Sequence, residues 1–147
     1  MKWLLPAAAI LLLAAFTFQK AVAPARKTCS TCDNLSGVEK IVCLAEDFKA
    51  SLSASQVTTL QLDRTLANAQ KWSNLPVTFV PRLGVRFGDL NATQLEKAKA
   101  ILQAAMSNRP YEGYDEAQQL WAADEYLAQN GGGSTYGAGQ YFIDRKS

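Results

Sequence analysis

Apolar residues recur at helical spacing along four stretches of the chain. The first stretch predicts a helix over 37–52, because 36–39 has the form of a capping box just before the periodic residues begin. The same form at 53–56 predicts a second helix that runs toward Trp72. The β-branched residues at 57–59 also suit a strand-like start, so that alternative stays open there.

The third stretch has the most regular helical pattern and follows a capping box at 91–94. The residues on its apolar stripe are expected to be buried: Leu95, Ala98, Leu102, Ala105 and Met106. A fourth helix is predicted over 115–129, where acidic residues at the start suit the positive end of the helix dipole. We expect it to bury Leu120, Trp121 and Leu127.

Between the helices the hydrophobic pattern changes. Apolar and polar residues alternate over 76–88, and two prolines favour irregular or edge structure there over a central strand. The glycine-rich stretch 130–134 predicts a flexible loop, and 136–143 has the composition of a strand. The predicted fold is mainly α: a four-helix part with short extended segments, which forms an incomplete piece of a larger α+β domain.

The N-terminal segment predicts export. A basic start precedes an apolar run over 4–18, whereas a membrane-spanning helix needs roughly 20 apolar residues. A short run of this kind, followed by small residues, is typical of a secretory signal peptide. We expect residues 1–25 to be cleaved before Arg26, which leaves a periplasmic or extracellular chain over 26–147 without a stable membrane span.

Removal of the leader changes the charge balance. The whole chain has 15 basic and 13 acidic residues, a net charge of +2. Since Lys2 and Lys20 leave with the leader, the remaining basic and acidic residues are equal in number. A nucleic-acid-binding domain needs a basic surplus to displace counterions from phosphates, so nucleic acid is not expected as a partner.

Three cysteines lie close to the mature N-terminus, at Cys29, Cys32 and Cys43. Export permits disulfides, and three cysteines allow one internal bridge, from either Cys29 or Cys32 to Cys43. A redox pair at Cys29 and Cys32 is disfavoured because no strand precedes it. Zinc would lack a fourth ligand, since the chain has no histidine. No cofactor or metal is therefore predicted.

The remaining candidate chemistry lies in aromatic side chains. A nucleophilic triad is excluded by the lack of histidine, and neighbouring carboxylates on a helix point in different directions. Trp72, Tyr114 and Trp121 are candidates to stack against a ligand, although core packing is the favoured explanation for such residues. The prediction is a non-catalytic exported module, for which a glycan or a protein is the candidate ligand, or an inert fragment.

Several short motifs, taken in order, resemble a family catalogued as domain-of-unknown-function family 3500. The motifs are Trp-Ser-Asn-Leu-Pro at 72–76, Arg-Leu-Gly-Val at 82–85, Asp-Leu-Asn-Ala-Thr-Gln at 89–94, Tyr-Asp at 114–115 and Gln-Tyr-Phe at 140–142. The resemblance covers roughly residues 36–143 and implies the N-terminal part of a bacterial exported domain.

The same resemblance implies a longer protein than this one. Family members continue into a strand-rich part with a histidine pair, whereas this chain departs near Asp144 into a charged tail. On that basis we expect a truncated or frameshifted end. The alternative function implied is the N-terminal piece of an exported, metal-dependent hydrolase whose active-site residues lie in a missing C-terminal part.

Overall fold

The computed structural model describes residues 32–73 and 75–146, so the predicted leader at 1–25 lies outside the described residues. The helices are Gly37–Ala50 (α1), Ala54–Leu60 (α2), Leu66–Ala69 (α3), Ala92–Ala105 (α4) and Tyr114–Leu127 (α5). The strands are Gln61–Leu62 (β1), Val85–Arg86 (β2), Phe142–Ile143 (β3) and Arg145–Lys146 (β4). Because the structure is 59% helical, the predicted mainly α class is confirmed. Within these residues, no helix has the length and apolar character that a bilayer crossing requires.

Helix α1 ends two residues earlier than predicted, and its predicted capping box does not form. Ser36 occupies the N-cap position, but its side chain makes no capping hydrogen bond. Gly37 has a φ of 55°, so the chain enters the first turn from the left-handed region that glycine tolerates. At the other end, the Ser51 hydroxyl donates to the carbonyl of Phe48 at 2.6 Å.

A disulfide joins Cys32 to Cys43, with their Cα atoms 5.8 Å apart. It ties the segment before α1 to the middle of that helix, and Cys32 is fully buried. The predicted staple is therefore formed by Cys32, whereas Cys29 lies outside the described residues. A bridge across this short loop restricts the unfolded chain and stabilises the fold.

The predicted second helix is divided into three elements, which makes five helices where four were predicted. Helix α2 starts in the predicted capping box, with Ser53 and Gln56 each bonding the other's backbone N–H. It stops at Leu60 because β1 then pairs in parallel with β4, and the helical conformation returns only at α3. The 57–59 segment is helical, so the strand-like start does not occur.

The third predicted helix is α4, and its capping box is confirmed. The side chains of Asn91 and Gln94 bond each other's backbone N–H at 2.9 and 3.0 Å. Gln94 also donates through Nε2 to the Ser51 carbonyl at 2.8 Å and to Oε1 of Gln56 at 3.3 Å. These bonds join the C-terminal end of α1 to the N-terminal ends of α2 and α4.

The hydrophobic core lies where α1 packs along α4, with contributions from α2 and the β2 segment. Its buried members are Phe48, Leu60, Val85, Phe87 and Ala98. Lys97 reinforces the helix pair through an ion pair of 2.7 Å with Asp47. Of the predicted α4 stripe, Ala98, Leu95 and Leu102 belong to this core. Ala105 and Met106 are exposed, because they lie at and beyond the C-terminal end of the helix, so their predicted burial is wrong.

Helix α5 lies within one or two residues of its prediction, but its buried face differs. Leu120 and Leu127 are exposed, so their predicted burial is wrong. The helix instead turns Trp121 inward, with ring centroids 5.9 Å from Phe87 and 6.2 Å from Tyr141. This orientation places the other side of α5 toward solvent.

The C-terminal part consists mostly of turns. The glycine-rich stretch runs through a kink after α5, where the backbone angles of Asn130 and Gly131 are not helical, and into a 3-10 turn, Gly133–Thr135. Of the predicted strand over 136–143, only β3 forms a strand, and it pairs antiparallel with β2. Beyond it, β4 pairs with β1, and Arg145 binds Glu46 of α1 at 2.5 Å and lowers the pKa of that carboxyl.

Candidate ligand-binding cleft

A cleft of about 710 Å³ lies between the C-terminal end of α4, the connecting loop and the first half of α5. We call it the α4–α5 cleft. Its lining residues are Gln103, Asn108, Arg109, Pro110, Tyr111, Tyr114, Asp115, Gln118 and Gln119. The set combines aromatic, amide and charged side chains, which is the mixture that fixes the orientation of a polar ligand.

The loop that forms one wall of the cleft depends on a glycine. Gly113 has a φ of 56°, and a Cβ atom there would lie 2.6 Å from the carbonyl oxygen of Ser107. That same carbonyl accepts the backbone N–H of Tyr114 at 2.9 Å. Because any side chain at 113 would collide with backbone, the loop closes against itself only with glycine at this position.

Tyr111 holds an unusual backbone conformation at the tip of this loop. Its φ is 61°, and among the described residues no other non-glycine residue has a positive φ. A bulky residue in this region costs on the order of 1–3 kcal/mol, and such residues concentrate at functional sites. The conformation is held by a bond of 2.7 Å from the Tyr111 N–H to Oδ2 of Asp115, and it leaves 79% of Tyr111 exposed.

Asp115 links the loop to α5. The same Oδ2 atom that accepts the Tyr111 N–H also accepts Nε2 of Gln119 at 3.0 Å. The carboxylate therefore serves as a hydrogen-bond acceptor for two neighbours on the floor of the cleft. This geometry suits holding the loop in place, and it leaves the second oxygen, Oδ1, facing no donor among 32–73 and 75–146.

Several polar groups around the cleft have no hydrogen bond to another residue that the structure describes. They are the side chains of Gln103, Arg109 and Gln118 and the hydroxyls of Tyr111 and Tyr114. By contrast, Asn108 is engaged, since it donates to the Gln103 carbonyl at 3.1 Å. The unpaired groups are free to exchange water for the polar groups of a ligand.

Tyr114 connects the cleft to the aromatic cluster behind it. Its ring meets Trp121 edge-on, with centroids 6.0 Å apart. Burial raises the pKa of Tyr114, and the negative charge of Glu96 acts in the same direction. Tyr114 thus packs against Trp121 and also lines the open cleft.

The three predicted stacking residues do not meet at one place. Tyr114 lines the cleft, and Trp121 lies behind it with the Lys99 ammonium 5.5 Å from its ring centroid. Trp72 is 78% exposed and is not among the cleft residues. Stacking of a ligand on these rings stays a prediction. Tyr111 was not among the residues predicted from the sequence. Its position between Asn-Arg-Pro and Gly113 nevertheless indicates a turn with unusual backbone angles.

One carboxylate of α5, that of Asp124, holds the helix to another part of the chain. It accepts the hydroxyl of Tyr141 at 2.8 Å, which fastens the helix to the segment before β3. Burial and this hydrogen bond raise the pKa of Tyr141 to about 12. The residue after Asp124, Glu125, accepts the backbone N–H of Ala138 at 3.2 Å. Helix α5 is therefore held to the C-terminal segment at two points.

A second, smaller cavity of about 280 Å³ lies beside β2. Its charged groups already bind each other, because Arg86 and Asp89 form an ion pair of 2.6 Å that raises the pKa of the arginine and lowers that of the aspartate. Gln56 donates to the Asp89 carbonyl at 3.1 Å. We therefore regard the α4–α5 cleft as the stronger candidate site. Over 32–73 and 75–146, no cluster of three or more histidine, cysteine or acidic side chains is arranged to hold a metal ion.

Fold and cleft together define a mainly α domain with an open cleft lined by polar and aromatic side chains. The family model described as "Protein of unknown function (DUF3500)" matches residues 35–144, which is most of the chain. The chain belongs to this family, as the order of its motifs predicts. No curated protein and no solved structure matches it. The family description assigns no activity, so the function of the chain is unknown from these comparisons.

Proposed function

We propose that this chain is an exported, non-catalytic binding module that holds a polar ligand in the α4–α5 cleft. The observation that carries the proposal is the set of unpaired polar groups that α4, α5 and their connecting loop place around one cleft, where Gly113 and Asp115 fix the backbone of the loop. A loop held in a strained conformation by surrounding contacts is a common feature of ligand-binding sites.

Two features support the exported location. The leader over 1–25 has the composition of a cleavable secretory signal. The Cys32–Cys43 disulfide suits an oxidising compartment, because thiols in a reducing cytosol rarely remain paired. The proposed location is the periplasm or the extracellular space.

The side chains around the cleft support binding in preference to turnover. A general acid or base needs a titratable group in hydrogen-bond reach of the reacting atom, with its pKa tuned by its surroundings. The one carboxylate that lines the cleft, Asp115, is engaged in holding Tyr111 and Gln119. The remaining groups are amides, tyrosines and an arginine, which donate and accept hydrogen bonds and orient a ligand.

A protein-observed NMR screen tests the binding proposal. The exported chain is titrated with mixtures of small saccharides, amino acids and short peptides. We expect amide shifts that cluster over residues 103–119 and that weaken in an Arg109→Ala, Gln118→Ala double variant. Arg64→Ala serves as the matched control, since Arg64 is exposed and lies outside the cleft. Shifts confined to another face, or no shifts with any mixture, would contradict the proposal.

The location is tested separately by expressing the full chain with its own leader in a bacterial host. We expect the product in the exported fraction, with Arg26 as its first residue and the Cys32–Cys43 bridge formed. A product retained in the cytosol with Met1 still attached would contradict the proposed export without affecting the binding experiment.

A further inference from the structure

We infer that the ligand of the α4–α5 cleft is a neutral glycan and that a sugar ring stacks on the ring of Tyr111. The inference rests on the proposed function as a binding module, and it adds the chemical class of the ligand and the residue that recognises it. Three properties of the cleft support it: an exposed aromatic face, a mixed set of hydrogen-bonding groups, and a lining that has one basic and one acidic side chain.

The aromatic face belongs to Tyr111. Its side chain is exposed, and it makes no ring contact with the Phe87, Trp121 and Tyr141 cluster over the part of the chain that the structure describes. Core packing therefore does not explain the ring. The faces of aromatic rings carry partial negative charge, so they attract the C–H bonds on the apolar face of a pyranose. The bond to Asp115 fixes the backbone beneath the ring before any ligand arrives.

The hydrogen-bonding groups around Tyr111 include both donors and acceptors. Gln103 and Gln118 each offer an amide that does both, Arg109 offers donors only, and Oδ1 of Asp115 accepts only. Each sugar hydroxyl also donates and accepts, so adjacent hydroxyls can satisfy all of these groups at once. An apolar ligand would leave them unpaired, which lowers affinity.

The charges disfavour an ionic ligand of either sign. Arg109 is the one basic side chain and Asp115 the one acidic side chain among the cleft residues. Glu112 and Glu116 add negative charge on the same loop and helix start, but each already accepts a hydrogen bond, from the Ser107 hydroxyl and the Gly113 N–H. An anionic glycan would meet this net negative charge, and a cationic one would approach Arg109, whose side chain binds no carboxylate among the described residues, so we expect a neutral glycan.

Affinity electrophoresis of the exported chain tests the ligand class. The probes are three neutral polymers (dextran, xylan and a soluble β-glucan), anionic polygalacturonate and cationic chitosan oligomers. We expect retardation by at least one neutral polymer and less by either charged one. Because no ion pair with the ligand is involved, its Kd should change less than about twofold between roughly 0.05 M and 0.5 M NaCl.

Substitutions at Tyr111 test the stacking surface. Tyr111→Gly removes the ring and suits the positive φ, so we expect binding to weaken about tenfold or more while the melting temperature does not fall. Tyr111→Phe keeps the ring and should bind within about twofold of the natural chain. Tyr126→Ala removes a tyrosine that is also exposed but lies outside the cleft, and this variant should bind like the natural chain.

The outcomes separate this inference from the proposed function. If polygalacturonate or chitosan binds best through the cleft, or if Tyr111→Gly binds as well as the natural chain, the inference is wrong and the binding module stands. If the NMR mixtures reveal a cleft ligand that is not a saccharide, the same conclusion follows. If no probe in either experiment perturbs residues 103–119, both proposals fail.

Discussion

Among single residues, Tyr141 makes the contact with the clearest pH signature. Its pKa is raised from 10.0 to about 12 in the folded chain by burial and by the bond to Asp124. As the pH rises above 10, the unfolded chain therefore loses this proton before the folded chain does. The free energy of unfolding should fall between about pH 10 and 12, because fewer protons are bound in the unfolded state.

Tyr141→Phe tests this assignment. At pH 7 the variant should lose roughly 1–2 kcal/mol of stability, because Asp124 loses its hydroxyl donor. Above pH 10 its stability should fall less steeply than that of the natural chain. Urea denaturation at pH 7 and at several alkaline values provides the measurement, with Tyr126→Phe as an exposed control. Equal alkaline slopes for the natural chain and the Phe variant would show that Tyr141 does not titrate in this way.

The residue scale also shows what sequence patterns fail to predict about the cleft. Tyr114 was a candidate because aromatic residues stand out in composition, and it lines the cleft. Tyr111 was not, because its importance depends on a φ of 61° that is set by the bond to Asp115. A backbone conformation of this kind depends on contacts between residues, which the sequence pattern alone does not reveal.

Among secondary-structure elements, the junction of α1, α2 and α4 depends most on one side chain. Gln94 is 7% exposed, accepts the backbone N–H of the N-cap residue Asn91 and donates to the carbonyl of Ser51 at the end of α1. Gln94→Ala removes this half of the capping box and leaves the Ser51 carbonyl without its partner. We expect a loss of roughly 2 kcal/mol, measured by urea denaturation.

A matched substitution checks that this loss comes from the junction. Gln129 also forms a side-chain hydrogen bond, to Glu125 at 3.1 Å, but both residues are exposed, one near the end of α5 and the other just beyond it. Gln129→Ala should change stability by only a few tenths of a kcal/mol. If the two variants lose the same amount, the bonds from Gln94 to the end of α1 contribute little.

The elements that were predicted well are those whose signals are local. Helix α4 starts at its capping box and carries a regular stripe, and both lie within a few turns of sequence. The second predicted helix is interrupted between Leu60 and Leu66, because β1 pairs with β4, a partner distant in sequence. The exposure of Leu120 has the same origin, since the surroundings of Trp121 decide which face of α5 turns inward.

For the whole molecule, the Cys32–Cys43 disulfide is the main covalent restraint that the structure shows. The two cysteines are 11 residues apart in sequence, so closing this loop in the unfolded chain should contribute roughly 3 kcal/mol. We expect Cys43→Ser to lose about that much stability in urea denaturation. The reduced natural chain should behave in the same way.

Cys29→Ser is the control for the disulfide, because the bridge does not use Cys29. It should unfold like the natural chain and show no free thiol under denaturing, non-reducing conditions. The natural chain should show one such thiol per molecule. If Cys29→Ser destabilises the chain as much as Cys43→Ser does, the pairing in solution differs from Cys32–Cys43.

The ion pair between Glu46 and Arg145 joins residues that are 99 positions apart, beside the β1–β4 ladder. Neither contact can form until residue 145 has left the ribosome, so this side of the fold closes late. Under the proposed export, the precursor would cross a secretion channel unfolded, and late closure of the β1–β4 side would keep it unfolded during synthesis. A substitution that stabilises the ladder should then reduce the exported fraction before it changes any property of the folded protein.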